Sequence, residues 1–267
     1  MMYKNSKTIN KIALLFGIFS IMFSACTKND TPPVLPPLGS FKMDFSNFQE
    51  EKSTELFIGN WAYSTATVSI FNIYASATIV VPAAAYNIAL DQVPEYIGDD
   101  QWLWSFDFPV YGANYQAKLT ATAKRKGKTH WEMRIDRLGT NAFTNFLWFE
   151  GETVADQSAE WIIYDSPSSP VEVISTHWEK YDDSDNGTLR YTLTRSGDSY
   201  YNSTIEWGIA NEGNYNRFYN IYRSDENSDI NILWTTADGS GRVKSPKHFN
   251  DEEWHCWNKY LLDDTCY

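Results

Sequence analysis

The sequence predicts an α+β fold, mainly β, in which a curved antiparallel meander of about ten strands packs on an N-terminal hydrophobic helical segment. Two observations predict it. Residues 56–90 contain no Asp, Glu, Lys or Arg, which is typical of buried helices. From Trp102 onward, short stretches of alternating apolar and polar residues are separated by turn residues at hairpin spacing. No helix-length stretch interrupts them, so an up-and-down order resembling a half-barrel is favoured over parallel crossovers.

The N-terminus has the pattern of a secretory signal. Lys4, Lys7 and Lys11 precede an apolar stretch, and the sequence "FSAC" ends at Cys26. Small residues before a cysteine resemble the bacterial lipobox, so we expect removal of residues 1–25 and lipidation of Cys26. The Pro-rich residues 26–40 are expected to form an extended tether. A single globular domain, 41–267, would then be anchored to a membrane by lipid without spanning it.

The charge and the cysteines limit the function classes. The net charge is −12 for the whole chain and about −15 without the three lysines of residues 1–25. This excess of acid argues against nucleic acid and against an anionic membrane surface as the ligand. Once Cys26 carries lipid, Cys256 and Cys266 remain as a pair. Their spacing fits neither a CxxC motif nor a zinc knuckle, so a disulfide closing residues 250–267 is favoured over a metal or redox site.

The charge-free segment is also long enough to cross a bilayer. Its Ser, Thr and Asn residues and Pro82 favour one or two buried helices within about 55–92 instead. Pro82 is expected at a break or in the first turn of the second helix, where a missing backbone donor is tolerated. The strands of the meander are expected within 102–245.

The tetrapeptide Thr-His-Trp-Glu occurs twice, at 129–132 and 176–179. If the turns are symmetric hairpins, one row across four strands joins the tryptophans of the core face: Trp131, Trp148, Trp161 and Trp178. The corresponding row on the solvent face joins His130, Phe149, Glu160 and Glu179. His130 and Glu179 would then be about 14 Å apart, too far to share a metal ion. The tetrapeptide is therefore interpreted as strand sequence, and the facing carboxylates of Glu160 and Glu179 are a weak candidate cation site.

Other candidate sites are aromatic or acidic. The chain contains eleven Trp, seventeen Tyr and fifteen Phe, which fits either a Trp-filled core or a pocket for a sugar or an apolar ligand. For the pocket, the candidate residues are Trp148, Trp161, Tyr215 and Tyr219. Glu150 and Glu152 share a strand face, as many exposed carboxylates do, and the sequence has no GxSxG, HExxH or phosphate-binding glycine loop. We therefore predict no enzyme and no cofactor.

Several stretches carry a resemblance: "FSAC", the Pro-rich tether, "PPLGSFKMDFSNF", "FLWFEG" and the C-terminal "WHCW" with its later cysteine. On these the whole chain resembles the uncharacterised lipoproteins of Bacteroidota. The resemblance implies an outer-membrane lipid anchor, on the periplasmic or the surface side, and supplies no activity. By analogy the architecture is also similar to periplasmic lipoprotein carriers.

Two functions follow from this reading. The first is a non-enzymatic membrane-anchored lipoprotein with a structural or partner-binding role, its core filled by its own helix. The alternative is a carrier or receptor that holds a lipid or glycan between helix and sheet or on the Tyr-rich strands. A filled core predicts no sizeable apolar pocket beside Trp148 and Trp161, whereas a movable lid predicts one there.

Overall fold

One antiparallel sheet dominates the computed structural model, which describes residues 31–48, 59–155, 157–181 and 186–266. Within these residues fourteen strands follow one another in sequence order, each paired with the next. The strands are β1 (Glu95–Gly98), β2 (Gln101–Val110), β3 (Ala113–Ala123), β4 (Lys128–Arg137), β5 (Phe143–Val154), β6 (Ser158–Ser166), β7 (Ser169–Lys180), β8 (Gly187–Leu193), β9 (Thr204–Glu212), β10 (Tyr215–Arg223), β11 (Ser228–Trp234), β12 (Gly241–Lys244), β13 (His255–Trp257) and β14 (Asp263–Asp264). The predicted up-and-down meander is confirmed. The count of about ten was too low because the short edge strands β1, β13 and β14 have little alternation to detect.

The alternation of buried and exposed residues defines two faces of the sheet. Leu189 and Tyr191 of β8 are buried, whereas Arg190 between them is exposed. We call the face with Leu189 and Tyr191 the inner face and the face with Arg190 the outer face. The turn between β2 and β3 is tight: Tyr111 and Gly112 both have positive φ, as a type I′ two-residue hairpin turn requires.

The inner face is covered by two helices, α1 (Asn60–Thr78) and α2 (Val80–Ala89). Pro82 is the third residue of α2, so the prediction that it lies in the first turn of a second helix is confirmed. A third helix, α3 (Pro246–Phe249), is a single turn that was not predicted. Among the described residues no single helix is long and apolar enough to span a membrane; α1 and α2 together have the length and composition but are bent by 67°.

The helices do not cover the inner face alone. Residues 32–48, which we call the N-terminal segment, also lie on it, and four of its side chains are buried: Phe41, Met43, Phe45 and Phe48. Ser40 is fully buried as well, so the packed domain begins before residue 41 and the predicted tether 26–40 was too long. The prolines of this stretch favour an extended chain, but they are compatible with packing when apolar side chains follow them.

Three buried tyrosines hold the N-terminal segment by its backbone. Tyr86 donates its hydroxyl hydrogen bond to the Pro36 carbonyl at 2.9 Å, and Tyr219 donates to the Asp44 carbonyl at 2.6 Å. Tyr191 donates to the Phe41 carbonyl at 2.9 Å and accepts from the Met43 amide at 2.7 Å. Apart from short 3-10 turns at Leu38–Ser40 and Ser46–Phe48, the segment has no regular secondary structure and no strand partner among the described residues. The tyrosine bonds satisfy backbone groups that would cost about 1–3 kcal/mol each if left unpaired.

The same tyrosines predict a loss of stability at alkaline pH. Burial raises the pKa of Tyr86, Tyr191 and Tyr219 above the ordinary value near 10, so their contribution is complete below pH 10 and is lost as the pH rises further. Above pH 10, each tyrosine lowers the free energy of unfolding by about 1.4 kcal/mol per pH unit. Urea unfolding between pH 8 and pH 11 should therefore show a shallower decline for Tyr191→Phe than for the parent chain. The exposed Tyr111→Phe serves as the control, and an equal decline in Tyr191→Phe would contradict the account.

The register of the sheet differs from the predicted Trp row. Trp131 lies opposite Gly151, and Gly151 lies opposite Trp161, so Trp148 is not in that row. Two register shifts in the β4–β5 pairing contribute to this difference. In the first, Met133 pairs with Phe149 and the next residue of β4 pairs with Leu147, which leaves Trp148 as the extra residue; the second lies between Ile135 and Arg137. Trp178 lies opposite Ala159 rather than Trp161. All four tryptophans are nevertheless buried, so the prediction that they mark the core face is confirmed.

The C-terminal residues connect the last strands of the sheet to the start of α1. Cys256 and Cys266 form a disulfide, as predicted. Asn60 is the first residue of α1, and its backbone N–H donates a hydrogen bond at 2.7 Å to the Asp263 carboxylate of β14. A negative charge is favourable at this end of a helix. The Asn60 side chain in turn donates to the Cys256 carbonyl at 2.9 Å.

Reduction of this disulfide should lower the free energy of unfolding by about 2–3 kcal/mol, because a closed loop of this length restricts the unfolded chain. Urea unfolding with and without dithiothreitol measures the difference. The double variant Cys256→Ser/Cys266→Ser should match the reduced protein and should not respond to the reductant. Equal stability of oxidised and reduced parent chains would contradict this prediction.

Candidate functional site

Three of the four aromatic residues predicted to bind a ligand lie in the core. Trp161 and Tyr219 are 1% and 0% exposed, and Trp148 is 8% exposed. Trp148 donates its indole hydrogen bond to the Thr78 carbonyl at the end of α1. These side chains contact the chain's own residues, so the prediction of a ligand site on them was wrong. Alternation alone shows which face a residue takes, and it does not show what covers that face.

The space beside Trp161 is occupied by aromatic rings from three parts of the chain. The Phe41 ring of the N-terminal segment stacks on Tyr86 of α2, with ring centres 5.1 Å apart. Phe41 also contacts Phe149 at 4.7 Å and Trp161 at 6.0 Å. Tyr86 completes the group by contacting Phe149 and Trp161. The N-terminal segment, α2 and the sheet therefore pack together beside Trp161. A ligand held under a movable lid would need a cavity at this position.

The two Thr-His-Trp-Glu copies lie on β4 and β7, with their His and Glu side chains on the outer face. Their partners differ from the predicted ones because the β4–β5 and β6–β7 pairings each contain register shifts that symmetric hairpins would not have. Residues that follow one another across this face are His130, Glu152, Glu160, His177, Arg190 and Glu206. Glu179 lies opposite Ser158 and Thr188, so the premise of a cation site between facing Glu160 and Glu179 was wrong. Glu160 faces His177 instead, with 3.4 Å between Oε1 and Nδ1.

The same register brings His130, Glu132 and Glu150 together as a candidate metal group. One ligand atom from each lies within 4.8 Å of the others. Glu132, however, is already in an ion pair with Arg134 at 3.3 Å, and Glu150 accepts a hydrogen bond from the Tyr164 hydroxyl at 2.6 Å. The other Glu132 oxygen, Oε1, lies 3.5 Å from His130 Nε2. The group is therefore best described as an ion-paired network on a partly exposed strand surface.

The two acids singled out on β5 are both engaged in this network. Glu152 forms an ion pair with Lys128. Burial and the Glu150 carboxylate raise the pKa of Tyr164, so that its hydroxyl remains a hydrogen-bond donor to Glu150 at neutral pH. Both carboxylates thus have partners on their own sheet face, an arrangement that favours a structural role over general acid–base chemistry.

A pocket of about 390 Å³ opens on the outer face of β9–β11. Its base consists of two cross-strand pairs of β10 and β11: Phe218 opposite Leu233, and Asn220 opposite Asn231. Phe218 also faces Gly208 of β9, where a Cβ would come within 2.7 Å of the Phe218 ring. The glycine therefore allows the ring to lie across the neighbouring strand.

The wall of the pocket comes from the end of β9 and from the loop before β13. Glu212 and Trp254 both line it. Arg242 joins them, because its guanidinium forms an ion pair with Glu212 and lies 4.2 Å from the Trp254 ring centre. Tyr215, the remaining predicted ligand residue, contacts the same guanidinium at 4.8 Å. Tyr215 thus does not line the pocket itself; it packs against Arg242, which supports the wall.

The sequence contains part of the signal for this pocket. Alternation in "RFYNIYR" and "DINILW" places Phe218, Asn220, Asn231 and Leu233 on the face opposite the core residues. Their meeting in one block depends on the register of β10 with β11, and Trp254 approaches only after the chain has passed through β12 and α3. No protein-family model matches this chain, and comparisons with curated proteins and with solved structures also give no match.

Proposed function

We propose that the chain is a non-enzymatic, lipid-anchored cell-envelope protein that binds a partner or ligand through the outer face of its sheet. The observation that carries the proposal is the contrast between the two faces. The inner face is filled by Phe41, Tyr86 and the residues around them, whereas the outer face of β9–β11 has a pocket bordered by Trp254. Small-ligand pockets are typically about 300–1,000 Å³, and this one falls within that range.

The lipid anchor rests on the N-terminal pattern and on Cys26, which lie outside the described residues. Cell fractionation tests the anchor. The parent chain should sediment with the outer membrane and Cys26→Ala should not; equal sedimentation of the two would contradict the anchor.

Photo-crosslinking in intact cells tests the binding face. A photoreactive p-benzoylphenylalanine at position 231 lies in the pocket, and one at position 111 replaces Tyr111, which is 91% exposed at the β2–β3 turn. We expect a reproducible adduct, whether protein or carbohydrate, from position 231 and none from position 111. Absence of an adduct at 231, or equal adducts at both positions, would contradict the proposal.

A further inference from the structure

The pocket on β9–β11 combines apolar faces with amide groups. Phe218 and Leu233 present apolar surface beside Asn220 and Asn231, and the Trp254 ring forms part of the wall. A ligand that matches such a lining needs an apolar face and a dense set of hydrogen-bonding groups along its edges. A sugar ring has both, because its C–H groups form a patch on one face and its hydroxyls project around the perimeter.

The two amides are arranged to bind hydroxyl groups. Asn231 Nδ2 donates to Asn220 Oδ1 at 2.9 Å, which fixes the orientation of both side chains. This bond leaves the Nδ2 donor of Asn220 and the Oδ1 acceptor of Asn231 for a ligand, side by side on adjacent strands. A sugar hydroxyl both donates and accepts, so a neighbouring pair of hydroxyls satisfies such a donor–acceptor pair.

The charges of the site favour a neutral ligand. Glu212 is the carboxylate of the lining, and Arg242 compensates its charge directly. The chain as a whole carries −12, which repels polyanions at long range. The Arg242 guanidinium is also held between Tyr215 and Trp254, so it is committed to supporting the wall.

From these observations we infer that the pocket binds a neutral glycan, with roughly one or two sugar units in a space of about 390 Å³. The inference rests on the proposed function, because it names the ligand class of the outer-face site. In this arrangement Trp254 and Phe218 contact the C–H face of a sugar, and Asn220 and Asn231 bind its hydroxyls.

Isothermal titration calorimetry of the folded Cys26→Ala protein tests the inference. The probes are four neutral hexasaccharides, built from β-1,4-glucose, α-1,4-glucose, β-1,4-mannose and β-1,4-xylose, with an oligogalacturonate as the anionic comparison. We expect at least one neutral probe to bind and the anionic probe not to bind. Trp254→Ala should weaken that binding at least tenfold. Asn231→Leu should do the same; it removes the amide while leaving the Arg242 wall in place.

Tyr111→Ala is the matched control, since it removes an exposed aromatic ring at a distant turn and should leave the affinity unchanged. Binding of none of the neutral probes, binding of the anionic probe alone, or equal affinity of the Asn231→Leu variant would overturn the inference. A protein adduct from position 231 without glycan binding would overturn the glycan and retain the outer-face function. If there is neither glycan binding nor an adduct at position 231, both the glycan inference and the proposed outer-face function are refuted.

Discussion

Replacing Phe41 by alanine is expected to lower the free energy of unfolding by about 3–5 kcal/mol. Phe41 is 0% exposed and contacts Tyr86, Phe149 and Trp161, which come from a helix and from two strands. Its removal leaves a cavity between these rings, and the hydrogen bond from the Tyr191 hydroxyl to the Phe41 carbonyl limits how far the backbone can move to fill it. Urea unfolding followed by tryptophan fluorescence and by far-ultraviolet circular dichroism measures the loss.

Val34→Ala is the control for this prediction, since Val34 lies in the same segment and is 80% exposed. Its stability should stay within about 0.5 kcal/mol of the parent. If Phe41→Ala also changes stability by less than 1 kcal/mol, the segment behaves as a tether, and its place in the core is refuted.

Replacing Gly151 by alanine should cost about 3 kcal/mol, near the upper end for overpacking. Gly151 lies between Trp131 and Trp161 in one row of the inner face. A Cβ at this position would lie 2.0 Å from the Glu160 carbonyl oxygen and 2.5 Å from the Trp161 ring. A backbone oxygen cannot move aside as a flexible side chain can, so the register of β5 with β6 would have to shift.

The control for Gly151→Ala is Gly39→Ala. Gly39 has no atom within 4 Å of the Cβ position and has no positive φ, so the added methyl group should be tolerated. Thermal unfolding of both variants gives the comparison directly. Equal melting temperatures would show that the row of Trp131, Gly151 and Trp161 is not packed as described.

Local patterns predicted the elements of this fold well. Alternation found the meander because one face of each strand is buried, and Pro82 marked the first turn of α2 because its missing donor is harmless there. The Cys256–Cys266 disulfide followed from the spacing of the two cysteines and from the expected compartment. Each of these features depends on residues close together in the sequence.

Two kinds of feature were not predicted: the exact register of paired strands, and contacts between residues far apart in the chain. Symmetric hairpin arithmetic does not detect register shifts, and the β4–β5 pairing contains two of them, so Gly151 and not Trp148 lies opposite Trp131. Pro36 was assigned to the tether because its partner, Tyr86, lies 50 residues away in the chain. The alternation around Phe218 predicted which face of the sheet this residue occupies. The pocket also needs Trp254, whose position depends on the path of the chain from β10 to the loop before β13.

In the proposed function, the chain fills its own inner face and leaves the outer face for binding. Mass spectrometry of an organic extract from the purified, folded Cys26→Ala protein tests it most directly. We expect no lipid or other apolar molecule at a stoichiometric level, because Phe41 and Tyr86 occupy the space beside Trp161. A lipid recovered at about one molecule per chain would contradict the account and would make α1 and α2 the lid of a carrier.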